Sequence, residues 1–192
     1  DEVREQSERD YQLASGLSQD VETDDNVFKQ TSARLPWLLI GMLGGIGNSL
    51  ILGNFDATFA AHPEMALYIP LIGGTGGNVG TQSSAIVVQG LANSSLDAKN
   101  TFKQIAKEAV VALINATIIS LLVYTYNFIR FGAAATVTYS VSISLFAVVM
   151  FASIFGTLVP MTLEKLKIDP AIATGPFISI TNDIIGMMLY LS

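Results

Sequence analysis

The sequence predicts an all-α membrane protein in which five helices of each subunit cross the bilayer. Hydrophobic residues make up 51% of the 192 positions and charged residues only 14%, whereas a soluble domain carries about 25% charged residues. The mean hydropathy of +0.50 agrees with this prediction. Five apolar stretches, each long enough for a membrane helix of about 20 residues, follow one another along the chain.

The composition also excludes several kinds of site. The chain has no cysteine, which excludes disulfides, thiolate zinc sites and cysteine nucleophiles. Its single histidine, His62, excludes sites that need two imidazoles from one chain. No basic or aromatic-rich stretch points to a nucleic-acid partner. His62 lies in a predicted loop beside Pro63 and not near a membrane serine, and the spans offer no pair of carboxylates such as an aspartyl protease uses, so we expect no enzyme activity.

Residues 1–33 are predicted to form a water-facing segment ahead of a membrane domain over residues 34–192. Nine of the sixteen acidic residues lie in the first 25 positions. Two interpretations stay open for this segment: a solvated linker, or a regulatory segment that senses cations, since acidic clusters bind divalent ions weakly. The chain begins with Asp1 and shows no signal-peptide pattern, so we expect it to be part of a longer protein.

The apolar pattern places the five spans at residues 35–60, 65–92, 109–129, 133–160 and 170–191. The first begins near Pro36, since proline suits the first turn of a helix. The fifth begins at Asp169 and Pro170, a natural N-cap followed by a first-turn proline.

The basic residues predict the orientation of these spans. With a cytosolic N-terminus, nine lysines and arginines lie on the cytosolic side and only Arg130 lies outside. This distribution follows the positive-inside rule. We therefore expect a protein of the inner (cytoplasmic) membrane with a cytosolic N-terminus, an external C-terminus and membrane lipid around it.

The second span contains an unusual run of glycine and polar residues, GGTGGNVGTQSS, at positions 73–84. Its five glycines within eight residues would each weaken a helix by about 1 kcal/mol relative to alanine. Irregular backbone at membrane depth is tolerated only inside protein or beside a wet cavity. Close packing would explain the glycines but not the adjoining polar residues, so Gly77 and Asn78 are predicted to line a pathway.

The fifth span carries one carboxylate, Asp183, well inside an apolar run. A charge at that depth costs several kcal/mol and usually marks a cavity, a partner or an ion pathway. Counted from Pro170, Asp183 lies about 20 Å along the helix axis. At about 100° per residue, a small and polar helix face surrounds it and is predicted to line a pore. That face consists of Gly175, Pro176, Ser179, Gly186 and Tyr190.

No lysine or arginine within the spans can pair with Asp183, which leaves two interpretations. In one, a protonated Asp183 is satisfied by serine or asparagine. In the other, two copies of Asp183 meet at the two-fold interface of a homodimer and hold a hydrated Mg²⁺, an ion that dehydrates reluctantly and prefers water with one or two carboxylates. Selectivity would then follow from the hydrated ion's size and the pore width.

The alternative function is a Na⁺- or H⁺-coupled divalent cation exchanger, since one buried carboxylate serves either mechanism. Oxygen ligands serve Mg²⁺, Co²⁺, Mn²⁺ and Ca²⁺ to some degree, so the choice among these ions stays open.

Two long motifs resemble the membrane domain of the MgtE family of magnesium channels, which is related to solute carrier family 41. They are Pro70 with GGTGGNVGTQSSAIVVQGLA, and DPAIATGPFISITNDIIGMMLYL. The resemblance covers the whole chain. It implies a homodimer of five-helix subunits, with Mg²⁺ as the transported and bound ion on the dimer axis. It also implies that Asp183 binds the hydrated ion, with further contacts from Ser179.

The resemblance has implications outside the pore as well. It implies that cytosolic Mg²⁺-sensing domains precede the membrane domain in the full-length protein, and that residues 1 to about 30 look like the helix that blocks the pore. Asp56 and Asp169 are predicted from the topology to lie at opposite mouths, where they would concentrate cations. As a loop acid and an N-cap, they need no such role.

Overall fold

The structure is a computed structural model that describes residues 9, 11–13, 15–93, 96, 101–173 and 175–192. These residues are helices, turns and connecting segments, without a strand among them, which confirms the all-α prediction for this part of the chain. The helices are α1 (Val27–Gly53), α2 (Asp56–Ala61), a 3₁₀ helix (Pro63–Tyr68), α3 (Ile69–Ala92), α4 (Thr101–Phe131), α5 (Thr136–Lys165), a second 3₁₀ helix (Pro170–Ala173) and α6 (Pro176–Leu191).

Helices α1, α4 and α5 are long and apolar enough to cross a membrane. Helix α6 is apolar but has only 16 residues, or about 24 Å, which is shorter than the hydrocarbon core of about 30 Å. Helix α3 has 24 residues, and glycines and polar side chains interrupt its apolar run. Five helices thus correspond to the five predicted spans, and three of them carry the composition of a membrane span.

The helix ends differ from the predicted spans because turns replace some of them and polar first turns extend others. Helix α1 ends at Gly53, where the side chain of Asn54 donates to the Leu50 carbonyl at 2.9 Å. Helix α2 and the 3₁₀ helix then replace the end of the first predicted span and the start of the second, as well as most of the segment between them. Helix α4 begins at Thr101 rather than near position 109, because lysine and glutamine are good helix formers and continue the helix beyond its apolar part.

The predicted helix over residues 170–191 is broken, so the predicted position of Asp183 along it is wrong. Asp169 caps only the short 3₁₀ helix, since its Oδ1 accepts the Ala171 N–H at 2.9 Å. The chain then turns at Gly175, whose φ of +57° is unfavourable for residues with a side chain, and α6 begins at Pro176. Asp183 therefore lies about 10 Å from the start of its helix, rather than 20 Å.

Helix α5 lies at the centre of the bundle and packs against α3, α4 and α6. Val141, Leu145 and Val148 on α5 are buried there with Ile72 of α3 and Met187 of α6. Helix α1 packs mainly on α6, and most of its large apolar side chains are exposed. The outer surface of α1 therefore suits contact with lipid or with another protein chain.

Helices α3, α5 and α6 approach one another closely at two glycines, Gly80 of α3 and Gly156 of α5. A Cβ atom on Gly156 of α5 would collide with the backbone carbonyl of Gly80 on α3. The amide of Asn182 on α6 occupies the space that a side chain at Gly80 would need. Asn182 is 1% exposed. Small residues thus bring the three backbones together, as is typical of helix packing in membranes.

An acidic turn precedes α1 and is tied to its first residues. Asp25 Oδ2 accepts the Glu22 N–H at 2.8 Å and the Lys29 ammonium at 2.7 Å, while Asn26 caps the helix through the Lys29 N–H. The hydrogen bond from the Glu22 N–H, followed by the one from the Lys29 ammonium, holds the pKa of the Asp25 carboxyl below its usual value. The Asp25 carboxylate therefore already has partners within the turn.

The segment before this turn folds back onto the membrane helices. Both the backbone N–H and the hydroxyl of Ser18 donate to the Ala33 carbonyl, at 2.9 and 3.0 Å. Gly16 is buried, and a Cβ atom placed on it would lie 2.6 Å from Cγ of Pro176. The N-terminal segment thus touches the first residue of α6, the helix that carries Asp183.

A candidate cation site between α3 and α6

The Asp183 carboxylate on α6 faces the glycine side of α3. A Cβ atom placed on Gly77 would lie 3.3 Å from Asp183 Oδ1, and one placed on Gly73 would lie 3.6 Å from the same oxygen. The two glycines are four residues apart and therefore lie on one face of the helix. Asp183 itself is half-buried. The missing side chains let α6 approach α3 closely, and the Asp183 carboxylate lies against this glycine face.

Ser179 lies one turn before Asp183 and faces the same glycine side of α3. A Cβ atom on Gly77 would lie 2.8 Å from Ser179 Oγ, which is too close for an undisturbed side chain. The Ser179 N–H donates to the Gly175 carbonyl at 3.0 Å, in the first turn of α6. The glycine run of α3 and the helix that carries Asp183 are predicted separately from the sequence, and the fold places them side by side.

The oxygen atoms near Asp183 are not equally available to bind a cation. The carbonyl of Gly77 accepts the Thr81 hydroxyl at 2.8 Å, so a role as a free carbonyl ligand is not supported. Within the described residues, the ion pairs join Lys29 to Asp25 and His62 to Glu64, and neither involves Asp183. No group of three histidine, aspartate or glutamate side chains that could hold a metal ion occurs among these residues. One carboxylate with one hydroxyl suits an ion that keeps its water, because Mg²⁺ usually retains several waters and binds one or two carboxylates.

Other polar residues of α3 lie on a face that the protomer leaves exposed. Asn78 and Gln82 are four residues apart and exposed, and Gly74 is exposed one turn earlier. Amide groups at membrane depth need hydrogen bonds from water or from protein, since lipid offers none. We call Gly74, Asn78 and Gln82 the polar stripe of α3. This stripe indicates a surface that is wet or covered by protein.

Two residues of the predicted pore face lie inside the protomer instead. Gly186 is buried, and a Cβ atom on it would lie 3.5 Å from the Val148 side chain of α5. Tyr190 is buried as well, and its hydroxyl donates to the Met65 carbonyl at 2.8 Å. The structure thus corrects their predicted position. A helical wheel gives the direction in which a residue points from its own helix, but it does not show whether a neighbouring helix such as α5 covers that side.

The remaining predicted residues are spread over the ends of the bundle. Pro176 begins α6 beside Gly16, with Gly175 in the turn before it. Asp56 is exposed at the start of α2, on the side where α3 begins. Asp169 is exposed on the side where α3 ends, and with Glu164 it borders a cavity of about 220 Å³. Asp56 and Asp169 are therefore at opposite ends of α3.

The structure also buries a carboxylate just before the third predicted span, in a stretch that the sequence marks only as polar and lysine-containing. Glu108 on α4 is only 7% exposed and accepts hydrogen bonds from the hydroxyls of Ser83 on α3 and Ser153 on α5. The signal that the sequence carries for it is the four-residue spacing of Glu108 with three small residues, Ala112, Ala116 and Ser120, which places all four on one helix face. All four are buried, as is Asn127 further along α4.

Comparison with known proteins gives one matching family. The model of the MgtE family, described as divalent cation transporter, matches residues 69–192, which is more than half of the chain and includes the candidate site. A magnesium transporter MgtE of Bacillus subtilis is 30% identical over 190 residues, covering 99% of this chain and 42% of the relative. One of Thermus thermophilus is 32% identical over 160 residues, covering 83% of this chain and 35% of the relative. One of Enterococcus faecalis is 28% identical over 196 residues, covering 99% and 42%. The chain thus spans less than half the length of these relatives.

Proposed function

Because the chain belongs to the MgtE family of divalent cation transporters, we propose that it forms the membrane path through which Mg²⁺ crosses the cytoplasmic membrane. The observation that carries this proposal is the arrangement of Asp183 and Ser179 beside the glycine face of α3. The three relatives carry magnesium in their names, which supports Mg²⁺ as the transported ion. The three apolar helices support a membrane location.

The path is completed by a second copy of the chain. One protomer offers a single carboxylate at this place, whereas two copies related by a two-fold axis offer two, which balance the charge of a divalent ion. The polar stripe of α3 is exposed in the protomer and would face either the path or the partner. Five helices per subunit then cross the membrane, with the N-terminus in the cytosol according to the positive-inside rule.

The ion passes as a hydrated ion. The carboxylates of the two Asp183 residues accept hydrogen bonds from its water ligands, and the Ser179 hydroxyls take part in the same shell. Since Mg²⁺ gives up water reluctantly, contact through water costs less than direct coordination by a rigid cage. The glycine face sets the width, because even one methyl group at Gly77 would touch both Ser179 and Asp183.

The N-terminal segment is well situated to regulate this path. Gly16 contacts Pro176 at the start of α6, so movement of the N-terminal segment would displace the first turn of the helix that carries Asp183. A full-length protein with cytosolic Mg²⁺-sensing domains would act through this connection. Residues 1–8, 10 and 14 of the segment lie outside the described residues.

Mg²⁺ uptake by liposomes that contain the purified protein tests this function. An indicator trapped inside reports Mg²⁺ entry under a Mg²⁺ gradient, with protein-free liposomes as the control. We expect entry that depends on the Mg²⁺ gradient and the membrane potential alone. Entry that requires an opposing Na⁺ or H⁺ gradient would establish the coupled exchanger instead. Entry no faster than in protein-free liposomes would overturn both.

A further inference from the structure

Glu108 is a buried carboxylate that the proposed ion path does not use. It belongs to a cluster with Ser83 and Ser153, which are 5% and 2% exposed, whereas Glu108 is 7% exposed. The Ser83 hydroxyl lies 2.7 Å from Glu108 Oε1, the Ser153 hydroxyl donates to the same oxygen, and the two hydroxyls lie 3.1 Å apart. We call these three residues the Glu108 cluster. It connects three helices, since its members come from α4, α3 and α5.

The cluster connects two helices that do not pack extensively against each other. Helix α4 packs along α5, and α3 packs along α5 and α6. The long side chain of Glu108 reaches Ser83 on α3 beside Ser153 of α5. A buried carboxylate is costly unless hydrogen bonds satisfy it. Ser83 and Ser153 supply such bonds, so displacement of α3 relative to α4 and α5 would leave buried polar atoms unpaired.

The position of α3 matters for the ion path because α3 has few side chains near Asp183. Its glycines contribute no side chains to the contact with α6, so only α6 supplies the side chains that usually interdigitate from both helices and fix one against the other. Ser83 lies six residues beyond Gly77, or about 9 Å along the same helix. A hydrogen-bonded contact at Ser83 therefore limits both rotation and sliding of the glycine face.

We propose that Glu108 is a positioning residue for the ion path, which acts through Ser83 and Ser153 to hold the glycine face of α3 at its distance from Asp183. This inference rests on the proposed function for its effect on flux. Glu108 itself does not touch the ion. Its carboxylate faces Ser83 from α3 and Ser153 from α5, and neither of these groups is charged.

The first test compares Mg²⁺ flux for Glu108→Ala, Glu108→Gln and a control, Ser84→Ala. Ser84 follows Ser83 on α3, is fully buried, and its hydroxyl has no hydrogen-bond partner. We expect Glu108→Ala to lower the maximal flux about tenfold, as loss of one buried hydrogen-bonded pair can do, at an unchanged half-saturating Mg²⁺ concentration. Glu108→Gln should restore most of the flux, because its amide oxygen still accepts the hydroxyls. Equal flux in Glu108→Ala and Ser84→Ala would overturn the inference.

A second measurement separates a displaced helix from a less stable protein. The chain contains no cysteine, so Asn78→Cys places a single thiol on the exposed stripe of α3. We expect Glu108→Ala, but not Ser84→Ala, to change the rate at which a membrane-impermeant thiol reagent labels this cysteine, at a temperature where all variants remain folded. An unchanged rate would contradict the inference. This labelling does not need Mg²⁺ flux, so it remains decisive if the proposed function fails.

Discussion

At the residue scale, the separation between Gly77 and α6 is the most sensitive feature of the candidate site. We expect Gly77→Ala to lower Mg²⁺ flux by about tenfold, the effect of about 1.4 kcal/mol, because the new methyl group would lie 2.8 Å from Ser179 Oγ and 3.3 Å from Asp183 Oδ1. Gly53→Ala on α1 is the matched control, since a Cβ atom there meets nothing within 4 Å. Liposome flux assays on both variants test this prediction. Equal flux in the two variants would show that the separation between Gly77 and α6 does not limit Mg²⁺ flux.

The chemistry of single residues was partly predictable at this scale. Asp183 and Gly77 can be chosen as site residues from the sequence, because a charge or a glycine run inside an apolar span is costly unless it faces protein or a wet cavity. Gly186 and Tyr190 lie inside the protomer instead, because their surroundings depend on α5, which no helical wheel includes. Glu108 is not singled out by the sequence analysis, because Lys103 and Lys107 precede it and the stretch is polar as a whole, whereas its burial depends on Ser83 of α3 and Ser153 of α5.

At the element scale, stability depends on the close approach of α3 and α5. We expect Gly156→Ala to destabilise the protein by about 1–3 kcal/mol, as overpacking usually does, because its methyl group would collide with the Gly80 backbone. Gly53→Ala should instead be neutral or stabilise by up to about 1 kcal/mol. Unfolding in detergent measures both changes. A Gly156→Ala variant as stable as Gly53→Ala would contradict this packing.

The N-terminal segment gives a second prediction at this scale. Gly16→Val should push residues 15–18 away from Pro176, since even a Cβ atom there would lie 2.6 Å from the proline ring. We expect faster amide exchange at Ser18, whose N–H bonds to the Ala33 carbonyl, and unchanged exchange in α5. Hydrogen–deuterium exchange measures both regions. Unchanged protection at Ser18 would mean that the segment does not depend on this contact.

The sequence predicts the helices better than their ends. Long apolar runs predict where the long helices lie, because burial or lipid requires apolar side chains along the whole element, and three of these helices have the length and composition of a membrane span. The helix ends depend on local hydrogen bonds and backbone angles instead. Asp169 illustrates this point: it is correctly predicted as a cap, but it caps a 3₁₀ helix that Gly175 separates from α6.

At the scale of the whole molecule, we predict a homodimer, because the polar stripe of α3 is exposed in the protomer and each protomer places only one described carboxylate, Asp183, at the candidate site. We expect the purified protein to have twice the chain mass of 20.5 kDa after correction for bound detergent. Light scattering coupled to size-exclusion chromatography measures this mass. A monomer that still conducts Mg²⁺ would rule out a path at the subunit interface. The interface of such a dimer is not predictable from one chain, because half of it would belong to another copy.

The most direct measurement is Mg²⁺ flux through liposomes that contain Asp183→Asn, a substitution that keeps the side-chain shape and removes the charge. The wild-type protein and Gly53→Ala serve as references, and chromatography verifies that the variant is folded. We predict that flux falls by at least about tenfold, since the amide no longer balances the charge of a divalent ion. Undiminished and still Mg²⁺-selective flux would show that the Asp183 carboxylate is structural, and would contradict the ion site proposed between α3 and α6.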